Sequence, residues 1–222
     1  MYSLYTLGWR IILLGNSAVI LTDGSSRELD QGLIPLAGRP LISYAIDAVR
    51  SLVDEVIVVV SSEFQIEKFK ILPNIRIVVN ENNPLTPLAG ALTGFKAVKG
   101  DLALLLSYNA PLLSSNVLAL ILDLCINRNA VIPRWPDGHI EPLHAAYKVK
   151  AATVAAEAAF NGGQTSLLSM VERLRGVRYI STLTLQQFDP KLTFFFNINT
   201  PSDLKTAERL LKKIQKHNFY QK

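Results

Sequence analysis

The sequence predicts a three-layer α/β/α sandwich around a mostly parallel sheet, and three observations carry that prediction. Short apolar runs of strand length alternate with segments of helical period. The runs are continuously apolar, as strands covered by helices on both faces are. Polar, turn-forming stretches follow several of them, at the carboxyl ends where an open parallel sheet keeps its ligand loops. A chain of 222 residues, 49% hydrophobic and 18% charged, can bury one full core. The expected organisation is an extension over residues 1–17, or a start codon placed too early, and then a single domain over 18–222.

The first strand is Ala18-Val19-Ile20-Leu21, followed by the loop Thr22-Asp23-Gly24-Ser25-Ser26-Arg27. A helix is expected over 41–52, with Leu41, Ala45, Ile46, Val49 and Leu52 at its apolar positions. Val56-Ile57-Val58-Val59-Val60 is a β-branched run too short for a helix. A short helix over 63–69 and a strand over 75–79 follow, and 80–87 is dense in turn formers and reads as a loop. Next come a helix over 88–98, a strand over 102–106, a helix over 114–126 and a strand over 130–133. Pro136-Asp137-Gly138 is a tight turn that returns 144–148 as a hairpin partner. Helices over 150–160 and 166–174, a strand over 177–180 and a closing helix complete the chain. Thr200-Pro201-Ser202-Asp203 suits that last helix start: Thr caps free amides, Pro fits the first turn and Asp203 complements the dipole.

Composition narrows the function. Net charge is +5, yet the basic residues are scattered and then concentrated in Lys205, Arg209, Lys212, Lys213 and Lys216, with no stripe interleaved with aromatics, so nucleic acid is not expected as a partner. The basic tail reads as a solvated helix face. Cys125 lies in an apolar run and has no possible disulfide partner in the chain, which fits a buried thiol and a reducing cytoplasm. His139, His144 and His217 come without paired cysteine spacing, which removes a structural zinc site. The apolar run 11–14 is stopped by Gly15-Asn16-Ser17, and no other stretch reaches the length of a membrane span.

Chemistry is expected in the loops after Leu21, Val79 and Leu106. In the first, Gly24 lets backbone amides approach a ligand, Ser25 and Ser26 add hydroxyl donors, and Arg27 supplies a cation suited to phosphate. Read alone, the same segment also suits a plain turn. The loop beginning at Asn80 offers amide and backbone groups for a base edge, or ordinary turn chemistry. Asn109 stands where a strand-end carboxylate would hold magnesium, and asparagine brings no charge. Asn197 has a plain alternative, satisfying backbone groups ahead of the helix at Thr200.

Together these segments resemble the molybdenum cofactor guanylyltransferases, a family with the Rossmann-like nucleotidyltransferase fold of the nucleotide-diphospho-sugar transferases. The resemblance rests on Leu21-Thr22-Asp23-Gly24-Ser25-Ser26-Arg27 with Pro35-Leu36-Ala37-Gly38-Arg39-Pro40-Leu41, on Thr86-Pro87-Leu88-Ala89-Gly90, and on Tyr108-Asn109-Ala110-Pro111. It continues in Glu141-Pro142-Leu143-His144-Ala145-Ala146-Tyr147 and in the stretch from Phe195 to Leu204, so it spans about 18–211. It implies transfer of GMP from magnesium-GTP to molybdopterin with release of pyrophosphate. It also implies other molybdenum cofactor proteins as partners. By resemblance Gly24, Ser25, Ser26 and Arg27, with Leu21, Thr22 and Asp23 beside them, meet the triphosphate, Thr86, Pro87, Leu88, Ala89 and Gly90 meet the guanine beside the Asn80 loop, Asn109 takes the metal position, and Asn197 and Asn199 lie toward the second substrate.

Three residues depart from the family pattern. Asp23 replaces its first glycine and sets a negative charge beside the expected triphosphate. The family lysine falls on Gln31 or Gly32, and no lysine precedes Lys68. The metal aspartate is Asn109. Losing groups that stabilise phosphoryl charge costs orders of magnitude in rate. The sequence therefore supports three expectations: an active or weakly active guanylyltransferase, with Arg27, Arg39 or a basic residue from elsewhere standing in for the lysine; a non-catalytic relative that binds a nucleotide, the cofactor or a partner enzyme; or a transferase for another nucleotide or acceptor.

Overall fold

The computed structural model describes residues 15–22 and 31–220. Its strands are β1 (Asn16–Leu21), β2 (Pro35–Leu36), β3 (Arg39–Pro40), β4 (Glu55–Val60), β5 (Arg76–Val79), β6 (Leu102–Ser107), β7 (Ala130–Arg134), β8 (Ala145–Lys148) and β9 (Val177–Ser181). Its helices are α1 (Ile42–Val49), α2 (Glu63–Phe69), α3 (Pro87–Ala97), α4 (Ser115–Cys125), α5 (Val149–Asn161), α6 (Leu167–Arg173), α7 (Thr182–Leu185) and α8 (Pro201–Tyr220). Seven strands form one sheet in the order β5-β4-β1-β6-β8-β7-β9, while β2 and β3 make a separate small ribbon. Every neighbouring pair in the large sheet is parallel except those of β8, which runs against β6 and β7. The hairpin expected beyond Pro136-Asp137-Gly138 is thus present.

Period-two alternation splits the core in two. Ala18, Ile20, Val58 and Leu104 point to the face covered by α1, α4 and α8, while Val19, Leu21, Ile57 and Leu105 point to the face covered by α3, α5 and α6. Burying one such side chain contributes about 1.5–3 kcal/mol, so the central strands hold the frame on which the loops are mounted. The helix α3 approaches β1 closely at Gly94, where a Cβ would run into Val19 Cγ1 and stand 3.2 Å from Val59 Cγ2.

The first strand begins two residues earlier than its apolar run. Asn16 and Ser17 join the ladder through their backbones, and Ser17 Oγ, buried, donates to Glu55 Oε1 at 3.0 Å. Glu55 also accepts from the Lys99 N–H at 2.7 Å and from Arg76 at 2.9 Å. Burial pushes its carboxyl pKa up, but these bonds outweigh burial and hold it below the usual value. Residues 16 and 17 therefore belong to the sheet and not to an extension. The one-turn helix α7 and the β2–β3 ribbon were too short to leave a periodic signal. No helix among the described residues is long and apolar enough to cross a membrane.

Candidate functional site

From β1 the chain moves to β4 and β5 on one side and then returns to place β6 on the other. That reversal opens a crevice at the carboxyl ends of β1 and β6. A cleft of about 390 Å³ lies there. Leu21 at the end of β1 and Thr22 beyond it, Val59, Val60 and Ser61 of the β4 end, and Asn80 beyond β5 form one wall. Thr86, Pro87 and Gly90 of α3 form a second, and Ser107, Tyr108, Asn109, Leu143, Ile198 and Asn199 close it. Among the described residues, no charged side chain lines this cleft.

Each polar wall group is held from behind. Thr22 donates twice to Val59 O, from its N–H at 3.1 Å and from Oγ1 at 2.8 Å. Asn80 is 5% exposed, and its Oδ1 accepts from the Asn82 N–H at 3.2 Å, Asn82 Nδ2 at 2.9 Å and Thr93 Oγ1 at 3.1 Å. A backbone N–H can only donate, so the atom facing Asn82 N is the carbonyl oxygen and the amide orientation follows. The Nδ2 group makes none of these bonds and stands beside Gly90, whose added Cβ would lie 4.0 Å away. Thr86 caps α3, Oγ1 accepting from the Ala89 N–H at 3.2 Å with Pro87 in the first turn, so the positive end of that helix abuts the cleft.

Asn109 is a clamp. Its Nδ2 donates to Ile198 O and to Asn199 Oδ1, both at 3.1 Å, its Oδ1 accepts from Ser107 Oγ at 2.5 Å, and its backbone O accepts from the Ile198 N–H at 2.9 Å. Asn199 is fixed in turn by the start of α8. There Asp203 Oδ2 accepts from the N–H groups of Asn199 at 3.1 Å and Thr200 at 2.8 Å, while Thr200 Oγ1 accepts from the Asp203 N–H at 3.2 Å, a reciprocal capping box. The Asn199 and Thr200 bonds hold the Asp203 carboxyl below its usual pKa.

Magnesium asks for anionic oxygen. At Asn109 the amide hydrogens are committed to oxygens and Oδ1 to a hydroxyl, and no group of three or more His, Cys, Asp or Glu among the described residues is placed to hold a metal. The described residues do not fit a magnesium ion at this strand end.

Behind Leu143 sits His144, 1% exposed, in the left-handed region at φ 78. Its ring packs edge-on against Phe194 at 5.6 Å and Phe195 at 6.1 Å, and neither ring nitrogen has a hydrogen-bond partner. Burial pushes its pKa down to about 4, so it is neutral. Trp135 stacks at a tilt on Phe195 and donates from Nε1 to Glu141 Oε1 at 2.8 Å, and Tyr147 OH donates to Pro142 O at 2.7 Å. The stretch from Glu141 to Tyr147 thus braces the cleft wall.

The structure brings Leu21, Thr22, Asn80, Thr86, Pro87, Gly90, Asn109 and Asn199 to one cleft. Leu88 and Ala89 are fully buried beneath it, their side chains given to the core. Asn197 does not line it, and its Oδ1 is buried without a partner, so the plain reading in which that oxygen serves the backbone does not hold. Asp23, Gly24, Ser25, Ser26 and Arg27 lie outside the described residues, as does the side chain of Gln31. The site residues expected from the sequence leave out Val59, Val60, Ser61, Ser107, Tyr108, Leu143 and Ile198, of which Tyr108, Leu143 and Ile198 lie in the stretches that carry the resemblance. The ends of strands next to β1 carry the signal that would have found Ser61 and Ser107, once strand order is known.

A seven-stranded, largely parallel sheet with its crevice at this reversal defines an α/β protein of the nucleotidyltransferase fold. Residues 18–177 match the family described as the MobA-like NTP transferase domain, and the chain belongs to that family. It is 31% identical over 191 residues to a "Probable molybdenum cofactor guanylyltransferase" of Thermococcus gammatolerans, covering 83% of this chain and 95% of that protein. It is 28% identical over 197 residues to a protein of the same description from Methanosarcina mazei, covering 85% and 88%. Among solved structures it is similar to molybdopterin-guanine dinucleotide biosynthesis protein A from Archaeoglobus fulgidus, with a TM-score of 0.75, 26% identity, and coverage of 89% and 99%. The 2-C-methyl-D-erythritol 4-phosphate cytidylyltransferase of Thermus thermophilus shares the fold, with a TM-score of 0.65 at 18% identity and coverage of 87% and 98%.

Proposed function

We propose that this protein binds a guanine nucleotide in the cleft and serves molybdenum cofactor maturation, transferring GMP from GTP to molybdopterin far more slowly than a site with the family's lysine and aspartate would. The carrying observation is the cleft itself, at the reversal beside β1 in a chain of the MobA-like family. Its polar, uncharged wall suits the base and ribose: Asn80 offers an amide donor, and the amino end of α3 and the Thr22 region lie close by. The phosphates fall to the loop that Thr22 enters, where Gly24, Ser25, Ser26 and Arg27 supply donors and one cation and Asp23 opposes them. Magnesium, where it takes part, arrives on the phosphates of the nucleotide rather than on Asn109. Asn199, on the cleft wall, is assigned to the molybdopterin side, and Asn197 stands behind it as a support.

One observation favours a second reading, a nucleotide- or cofactor-binding relative without turnover. Both hydrogens of the Asn109 amide, and one lone pair of its oxygen, are taken by neighbouring groups, so the side chain serves the structure of the wall. A turnover assay with GTP and molybdenum-molybdopterin, following pyrophosphate, beside GTP binding to the same preparation, decides between them. Slow pyrophosphate release supports transfer, binding without release supports the second reading, and neither binding nor release rejects the site.

A further inference from the structure

At the amino ends of β7 and β9, opposite the cleft, a groove of about 500 Å³ runs between α5 and α6 and joins a smaller one of about 280 Å³ at Asn129 and Lys148. The floor is aliphatic, made by Leu174 and by Val154, which is 63% exposed, with alanines of α5 between them. The rim is cationic: Lys148, Lys150, Arg173 and Arg175 border the larger groove and Arg128 the smaller. No carboxylate lines either, and none of these five cations makes an ion pair among the described residues. The neighbouring acid on α5, Glu157, is taken by Lys96 at 2.6 Å.

We propose that this groove docks an acidic amphipathic segment of a partner protein, apolar side chains on Val154 and Leu174 and carboxylates on the five-cation rim. Charge and floor select that occupant. A second copy of this chain carries the same net charge of +5 and is repelled. Nucleic acid would leave the aliphatic floor unused, and the lining holds no aromatic ring for bases to stack on. Because the groove lies at the other end of the sheet, a partner seated there leaves the cleft open. The rim charges set partner choice and encounter rate, and the apolar floor, once covered by the partner, sets residence.

The test is fluorescence anisotropy of the full chain at low salt with a labelled synthetic helix bearing glutamates on one face and leucines on the other. Saturable binding is expected, weakened at least about tenfold by Lys150→Glu with Arg173→Glu, as loss of opposed charge pairs predicts. Val154→Ser should weaken it in a way that added salt does not alter, and Lys212→Glu with Lys213→Glu on α8 should leave it unchanged. Unchanged melting temperatures show that the variants are folded. The proposal is overturned if the groove variants bind like the parent, if the α8 pair matters equally, or if duplex RNA or anionic vesicles bind more tightly than the peptide through the same residues.

Discussion

Replacing Asn109 by aspartate supplies the carboxylate that the family resemblance implies at this strand end, yet in this chain it should destabilise the fold. Asn109→Asp removes the two hydrogen bonds that Nδ2 donates to Ile198 O and Asn199 Oδ1, and turns a carboxylate toward those same oxygens. Each lost bond is worth about 1 kcal/mol, the exposed one less, and the facing oxygens add a repulsive term, for a total of about 2 kcal/mol. In a chain of this size that lowers the melting temperature by roughly 4–8 °C. Asn109→Ala loses the same bonds without the repulsion and should be less harmful. Thermal unfolding of the three proteins, with and without magnesium, reads this directly. If Asn109→Asp melts with the parent, or magnesium raises its melting temperature above the parent's, the carboxylate has found a cation and the clamp reading fails.

Three further outcomes are expected. The His144 pKa, held near 4 in the folded protein against an ordinary 6.5, means the unfolded chain binds the extra proton between those values. Its contribution is therefore full above about pH 6.5 and is lost as pH falls toward 4, by about 1.4 kcal/mol per unit and about 3 kcal/mol in all. Urea unfolding at several pH values should show that loss in the parent and a flatter profile in His144→Gln. Gly94→Ala sets a methyl against Val19 and Val59 inside a packed core and should cost about 1–3 kcal/mol by the same assay. Asn80→Ala removes the amide donor beside Gly90, and a GTP titration of the folded variant should show affinity reduced by about tenfold, the worth of one well-made hydrogen bond.

Much of the frame was legible because strands buried on both faces must be apolar throughout, as 56–60 and 102–106 are, and because Thr200-Pro201-Ser202-Asp203 spells out its own cap. The polar loops after Leu21, Val79 and Leu106 pointed to the cleft, since topology puts ligands at those strand ends. What stayed hidden depends on residues distant in sequence. Asn109 read as a damaged metal position until Ile198 and Asn199, about ninety residues on, were seen to take its amide. The start of β1 was missed because Ser17 is polar, and only Glu55 across the ladder explains its burial. The absence of partners around His144 has no local signal either, since it arises from the packing of Phe194 and Phe195.

On the reading proposed above, the cleft takes a guanine nucleotide without a metal anchored at Asn109. Calorimetric titration of the full chain with GTP, in magnesium and again in a chelator, tests it most directly. Binding is expected in both, with affinities within about threefold, a difference of under 1 kcal/mol. No binding in either, or a magnesium dependence that Asn109→Ala abolishes, would contradict that placement.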